Sequence, residues 1–361
     1  MAGEREVVLV GGGHAHVQVL SSWARRPEPD ARLTLVSPYP RAVYSGMVPG
    51  VVAGRYGPDE AVLDLEALAR RAGARLVPAP AARLDGDGRR IHVEGSGEIP
   101  FDLASCDVGS SVAGRDLPGV RDHAMTVRPM EPFLEGLDER LDGVGSLIVV
   151  GGGAAAVELA FCARARTAGR VTLVEAGPQV LPGFPPRAVG LLERRAAVCG
   201  VTLRTGARVS AVTADGVVLE DRGTLPAEAV IWAAGPAPHG LLARSGVSHQ
   251  HGYARVRPTL QLLQHDEVFA AGDCAWLEGA DLPRSGVHAV HQGPVLDHNL
   301  RARLHDRPLR SYRPVASVLA LLDLGDGTAL GTKWGRVVHG RWVLAWKRRL
   351  DRGFVGRFRE G

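Results

Sequence analysis

Cysteine is scarce in this chain of 361 residues: there are four, Cys106, Cys162, Cys199 and Cys274. They stand singly, with no CxxC or CxxxxC pair and no histidine at zinc-site spacing, so neither a disulfide scaffold nor a structural metal is expected. A reducing, cytoplasmic compartment follows from that usage. Long apolar runs are lacking as well. Stretches such as Leu147 to Val157 stop well short of a bilayer span, and Met1 to Glu6 lacks the charged-then-apolar order of a signal peptide. Nor is there a large excess of one charge. Lys+Arg 43 against Asp+Glu 39 leaves +4, with the basic residues gathered near the end, which gives no indication of nucleic-acid binding.

What is present is ample material for a core. Hydrophobic residues make up 45% and charged residues 23%, the mean hydropathy is near zero, and the length suits two domains and a tail. Gly 46 and Pro 24 make the chain rich in turns without making it disordered.

One local grammar occurs twice. Val7-Val8-Leu9-Val10 has the continuous apolar character of a parallel strand buried on both faces; Gly11-Gly12-Gly13 follows at once, and His14 to Leu20 reads as a helix opening. About 140 residues on, Leu147-Ile148-Val149-Val150 runs into Gly151-Gly152-Gly153 and then a helix from Ala154. Strand, glycine turn and helix together predict a mononucleotide-binding unit, and two such units predict two bound dinucleotides. The first glycine permits the tight turn, and the second lets backbone approach a pyrophosphate at the helix N-terminus. Ala156 takes the third small position in the second unit, whereas His16 stands there in the first.

The end of each second strand separates the ligands. Arg170 to Val174 ends in Glu175, 24 residues after Gly151, where a carboxylate accepts from a ribose 2′-OH and repels a 2′-phosphate, so NADH is preferred to NADPH. The matching strand of the first unit, Arg32 to Val36, ends in Ser37, a weaker ribose partner.

Far downstream, Val268-Phe269-Ala270-Ala271-Gly272-Asp273 runs a strand into Gly-Asp. With the two glycine turns, this resembles the flavin-dependent pyridine nucleotide-disulfide oxidoreductase superfamily, an α/β fold of two Rossmann-like, three-layer dinucleotide-binding domains. The resemblance implies that Asp273, after Gly272, bonds the ribityl chain of FAD. It also implies that Cys106-Asp107-Val108-Gly109-Ser110 and Ile231 to Pro236, with Gly235, are the crossovers between an FAD domain and an NAD domain inserted in it. The expected boundaries are 1–118 and 245–310 for FAD, 119–244 for NAD(H), and 311–361 for a small C-terminal hairpin and amphipathic basic helix.

Where disulfide reductases of that superfamily carry the second cysteine of a CxxxxC pair, this chain has Gly46-Met47-Val48-Pro49, and Ala42 stands for the first. A thioether and a methyl cannot cycle a dithiol, so electrons must leave the flavin directly. A narrower resemblance rests on Gly11 to Val17 with His14 and His16, on Tyr44-Ser45-Gly46-Met47-Val48-Pro49-Gly50, and on Gln292-Gly293-Pro294-Val295-Leu296. These look like type II NADH dehydrogenase and the flavoprotein module found fused to selenide-water dikinase. The resemblance implies a nicotinamide–flavin junction at Glu158, in the string Gly151 to Ala160, and a flavin-facing helix over Ala289 to Leu304. Val287 to Gln292 takes the place of that family's AQxAxQ pattern; Gln292 matches it, and His288 replaces the earlier glutamine.

The expected cofactor contacts are therefore Gly11, Gly13, His14, Ser37, Ser45, Gly46, Pro49, Gly109, Ser110, Gly272 and Asp273 for FAD. For NADH they are Gly151, Gly153, Ala156, Glu175 and Gly235, with Glu158 and Gln292 as positioning residues and no metal. Hydride transfer needs alignment rather than a general acid, so no triad is expected.

In the tail, Ser317 to Leu324 and Thr328 to Trp334 read as strands joined at Gly325-Asp326-Gly327, and His339-Gly340 reads as a further turn. Trp342, Trp346, Leu350, Phe354 and Phe358 recur at i+4 among arginines. This amphipathic helix suits either an anionic membrane surface or packing on protein, including a twin subunit. The leading functional reading is hydride transfer from NADH to FAD and onward to a quinone-like acceptor. A flavin-bearing sensor with negligible turnover, linked to selenium metabolism, a sulfide:quinone reductase, and NADPH in place of NADH remain as alternatives.

Overall fold

The computed structural model describes residues 4–221 and 223–359; Met1, Ala2 and Gly3, part of the start read above for a leader, lie outside them. Each glycine turn caps the central strand of a parallel sheet. The first segment supplies β1 (Arg5–Val10), α1 (His14–Arg25), β2 (Ala31–Val36), α2 (Val48–Val52), β3 (Arg75–Val77) and β4 (Leu103–Cys106). The next supplies β5 (Met125–Thr126), β6 (Ser146–Val150), α3 (Ala154–Arg166), β7 (Arg170–Val174), β8 (Val201–Arg204) and β9 (Ala229–Trp232). β10 (Val268–Ala270) then returns to the first sheet, whose order is β10-β4-β1-β2-β3, while the second runs β5-β9-β6-β7-β8.

The valines and leucines of β1 and β6 are almost wholly buried, as strands covered on both faces must be. In each sheet the chain steps from the central strand to one side and later returns to the other. The crevices between β1 and β4, and between β6 and β9, are therefore topological switch points, where doubly wound sheets bind ligands. The two units match at this point. A Cβ on Gly11 would lie 2.4 Å from the Asp107 carbonyl oxygen, and one on Gly151 would lie 2.3 Å from that of Ala233, so both positions require glycine.

After β10 comes α4 (Gly286–Leu304), which begins three residues before the expected Ala289 and packs along α1. Gly293 makes that approach possible, because a Cβ there would collide with Gln18, whose Nε2 donates to the Val290 carbonyl at 2.7 Å. The tail goes beyond expectation. The hairpin joined at Gly325-Asp326-Gly327 forms, and a third strand extends it into a three-stranded antiparallel sheet, β11 (Ala320–Asp323), β12 (Ala329–Lys333) and β13 (Arg336–Gly340). His339 and Gly340, expected as a turn, pair with Leu330 and Ala329 instead. The turn is at Trp334-Gly335, both with positive φ (50° and 72°), the geometry of a tight two-residue hairpin loop in which tryptophan is an unusual first residue.

The final helix, α5 (Arg341–Arg359), lies across this sheet. Its i+4 series does not form one face. Each step of four residues advances about 40° around a helix, so the series drifts by roughly 160° over its length. Trp342, Trp346 and Leu350 are exposed, Phe354 is buried, and Phe358 packs on the core. The inward face is Val343, Leu344, Lys347, Asp351, Phe354 and Val355.

Candidate active site

The first glycine turn is a cradle of backbone with an acid beneath it. Gly13 opens α1, and the amides of Ala15 and His16 donate to the Asp107 Oδ2 at 2.8 and 3.3 Å. His16 is fully buried, with Nδ1 2.7 Å from the Gly11 carbonyl and Nε2 2.8 Å from the Ser105 hydroxyl. A carbonyl can only accept, so Nδ1 carries the hydrogen and Nε2 accepts from the serine. Burial pushes His16 down to about 4, which keeps the ring neutral. His14, also lowered to about 4 by burial, faces Tyr44 edge-on and lies beside Phe354 of α5. Ser37 is turned inward, and its hydroxyl donates to the Tyr39 carbonyl at 2.9 Å.

Three segments converge on Asp273. Its Oδ2 accepts from Arg128 Nη1 at 2.7 Å and lies 3.4 Å from the Ser110 hydroxyl. Gly109, next to Ser110, has φ +67° and open space where a side chain would project. Gln292, buried on α4, accepts the Gly272 amide on Oε1 at 2.6 Å and so fixes the turn that aims Asp273. Near the start of the same helix, Gly286 lies close to the Ser45 hydroxyl. A backbone cradle, a half-buried carboxylate with a guanidinium partner, and open glycine surface between them fit a flavin dinucleotide.

Glu158 lies under the tail. Its Oε1 accepts the Asp323 amide of β11 at 2.8 Å and sits 3.7 Å from Lys347 Nζ of α5. That ammonium lies 3.3 Å from Asp351 and donates to the Gly46 carbonyl at 2.8 Å. Tyr44 stacks on Phe354 with ring centroids 4.4 Å apart, and Asp323 also pairs with Arg55. The result is a buried polar chain joining the Gly46 turn, whose Pro49 opens α2, to the second glycine-turn helix through the tail. Burial raises Glu158 to about 7, with the Lys347 charge opposing the rise, so this carboxyl can hold or release a proton near neutrality. Asp351 is likewise raised by burial.

The second glycine turn is open. A Cβ on Gly153 or on Gly235 would meet nothing within 4 Å, and Ala156 is fully buried where α3 leaves the turn. Glu175 stands at the strand end beside it, close against Gly152, and accepts the Gly177 amide at 2.5 Å. This is a strand-end carboxylate aimed along a nucleotide crevice, and the surroundings fit NADH.

The three buried cysteines offer no redox chemistry. Cys274 Sγ donates to the Ala271 and Cys106 carbonyls at 3.1 and 3.4 Å, and burial raises the Cys106, Cys162 and Cys274 thiols. A buried protonated thiol is a poor nucleophile. Among the described residues there is also no cluster that could hold a metal ion.

Lys347, Asp351, Asp323, Arg55, Arg128 and Asp107 were not among the residues singled out from sequence. One signal for the first was available. Lys347 is one of two lysines in a chain whose other cationic side chains are arginine or histidine, and it lies i,i+4 to an aspartate within the basic helix.

A family model described as pyridine nucleotide-disulphide oxidoreductase matches residues 5–293. The type II NADH:quinone oxidoreductase of Staphylococcus saprophyticus is 23% identical, over 97% of this chain and 95% of its own length. An NADH dehydrogenase-like protein of Mycobacterium tuberculosis is 28% identical over 74% and 72%. Among solved structures, NDH2 of Plasmodium falciparum in complex with NADH superposes with a TM-score of 0.82 at 13% identity, covering 98% of this chain and 97% of that one. The sulfide:quinone oxidoreductase of Aquifex aeolicus gives 0.81 at 18% identity, with 99% and 92% covered.

Proposed function

Because the chain belongs to the pyridine nucleotide-disulphide oxidoreductase family, we propose that it is an FAD-dependent NADH dehydrogenase that passes electrons to a quinone without a redox disulfide. The observation that carries the reading is the convergence of both glycine-turn units on one buried cluster, with Glu158 from the second facing Lys347 and the Gly46 turn of the first.

When bound, FAD accepts hydride from NADH and releases electrons to the acceptor. The protein's part is alignment and proton supply. Gly11, Gly13, Gly109, Ser110, Gly272 and Asp273 hold the flavin dinucleotide, aided by His14, Ser45 and Gly46. Gly151, Gly153, Ala156, Glu175 and Gly235 hold NADH, and Gln292 keeps the Gly272 turn in place. Ser37 has a lesser role, since its hydroxyl is committed to the backbone. Quinone reduction consumes protons as well as electrons, and Glu158 holds one at its buried carboxyl.

Steady-state oxidation of NADH with a soluble quinone tests this reading. It predicts parallel double-reciprocal lines, because the oxidised nicotinamide product leaves before the quinone reacts, and a higher kcat/KM with NADH than with NADPH. Protein-bound flavin that NADH reduces without steady turnover would favour a sensor.

The tail supplies a place to meet a lipid-soluble acceptor. Trp334, Trp342, Trp346 and Leu350 are exposed by 70, 58, 38 and 45%, and Trp342 stacks on Trp346 among the arginines of α5. Aromatic surface flanked by cationic side chains suits the interface of an anionic bilayer. No helix among the described residues is long and apolar enough to cross a membrane, so the contact is peripheral in this reading. Cosedimentation with phosphatidylglycerol vesicles should fall at least tenfold in Trp342→Ser/Trp346→Ser, with NADH-driven reduction of a soluble quinone retained. Vesicle binding equal to that of the parent would contradict the membrane reading, and a dimer lost in the same variant would assign the patch to a twin subunit.

A further inference from the structure

The two glycine-turn units differ at three buried positions that the fold makes equivalent. Ala156, Ile231 and Ala233 of the second unit correspond to His16, Ser105 and Asp107 of the first. The second set is apolar and leaves the turn open. The first places a carboxyl group against it: a Cβ on Gly13 would lie 2.2 Å from Asp107 Cγ, whereas one on Gly153 meets nothing within 4 Å.

Asp107 is 2% exposed, and its Oδ2 takes two first-turn amides of α1. Resting on the reading that this turn holds the flavin dinucleotide, the same helix end must also receive a pyrophosphate. A carboxylate and a pyrophosphate competing for one positive helix end, in a site of low polarity, repel each other. The nearby groups do not relieve the conflict. His14 and His16 on α1 are neutral, the Cys106 and Cys274 thiols are protonated, Gln292 and His288 on α4 carry no compensating charge, and Asp273 adds a negative one. Of the nearby cations, Arg128 is already bonded to Asp273, and Arg284, which acts on His288, lies over the Tyr253 ring.

We propose that Asp107 binds FAD's pyrophosphate as a neutral acid, so that cofactor binding above neutral pH takes up one proton from solvent and Asp107 makes FAD retention pH-dependent. As a neutral acid, Asp107 can still accept the two helix amides on one oxygen while the other carries the hydrogen. Burial, reinforced by the Asp273 charge, raises the group to about 7, so the acid form prevails below that pH and is lost above it.

FAD affinity of the full-length apoprotein, followed by quenching of flavin fluorescence from pH 6 to 9, tests the proposal. The expected result is a constant Kd below about pH 7 and a rise approaching tenfold per unit above it. Asp107→Asn should give a flat profile, with FAD bound more tightly than by the parent at pH 9. Calorimetry of the parent at pH 8 in two buffers of different protonation enthalpy should show close to one proton taken up per FAD, and it decides the matter even if the variant does not fold. A flat parental profile, no proton uptake, or an unchanged slope in Asp107→Asn would overturn the proposal while leaving the flavoenzyme reading intact. Absence of FAD binding at every pH would overturn both.

Discussion

Replacing Lys347 with methionine should destabilise the protein by about 3–5 kcal/mol, the usual cost of removing one partner from a buried ion pair. The ammonium is the shared partner of Glu158, Asp351 and the Gly46 carbonyl, and without it two buried carboxyl groups must stay charged and unpaired or take up protons. Arginine should not rescue the site. A compact point charge on a flexible stem reaches three acceptors that a planar guanidinium would overfill, and lysine occurs here in a chain that otherwise uses arginine almost throughout. Adding Glu158→Gln to Lys347→Met should recover part of the loss, because one of the stranded acids is then gone. Urea unfolding midpoints of the four proteins measure this, and a Lys347→Met midpoint equal to the parent's would contradict the network's structural role.

Glu158→Gln alone should slow the quinone-dependent half-reaction by about 10²–10⁴-fold, the range for loss of a positioned proton donor. Reduction by NADH should change only a few-fold, since hydride transfer depends on alignment. The pH dependence gives the sign. The carboxyl is raised to about 7, so it carries its proton below that pH and loses it as pH rises, and the parent's quinone step should slow above neutrality. In Glu158→Gln the profile should be flat and low. Rapid-mixing measurements of the two half-reactions separate these effects. A loss confined to reduction by NADH, with the quinone step unchanged, would assign Glu158 to nicotinamide positioning alone.

The fold's organisation was readable because its signals are local. Apolar strand, glycine turn and helix lie within about twenty residues of each other, and the third downstream signal, Gly272-Asp273, is a contiguous string. The polar chain between the units was not readable, since it is assembled from residues far apart in sequence: Gly46, Glu158, Asp323 and Lys347 meet only once the tail folds back. Periodicity was misleading for α5, where a regular i+4 series looked like one stripe although helical geometry carries Trp342 outward and Phe354 inward. Asp107 lay inside a string noted only as a crossover. Its significance needs the comparison with Ala233, which depends on knowing that Gly11 and Gly151 press on equivalent carbonyls. His16 looked like a departure from the nucleotide-binding pattern and is instead a satisfied part of it, bonded at both ring nitrogens.

The central claim is that both dinucleotides bind and that the nicotinamide delivers its hydride to the flavin. An anaerobic titration of the purified, FAD-loaded protein with NADH, followed at the oxidised flavin band near ~450 nm, tests it most directly. The account predicts stoichiometric bleaching, complete at about one equivalent, and recovery of the band on addition of quinone. A yellow protein whose band NADH leaves unchanged would contradict it.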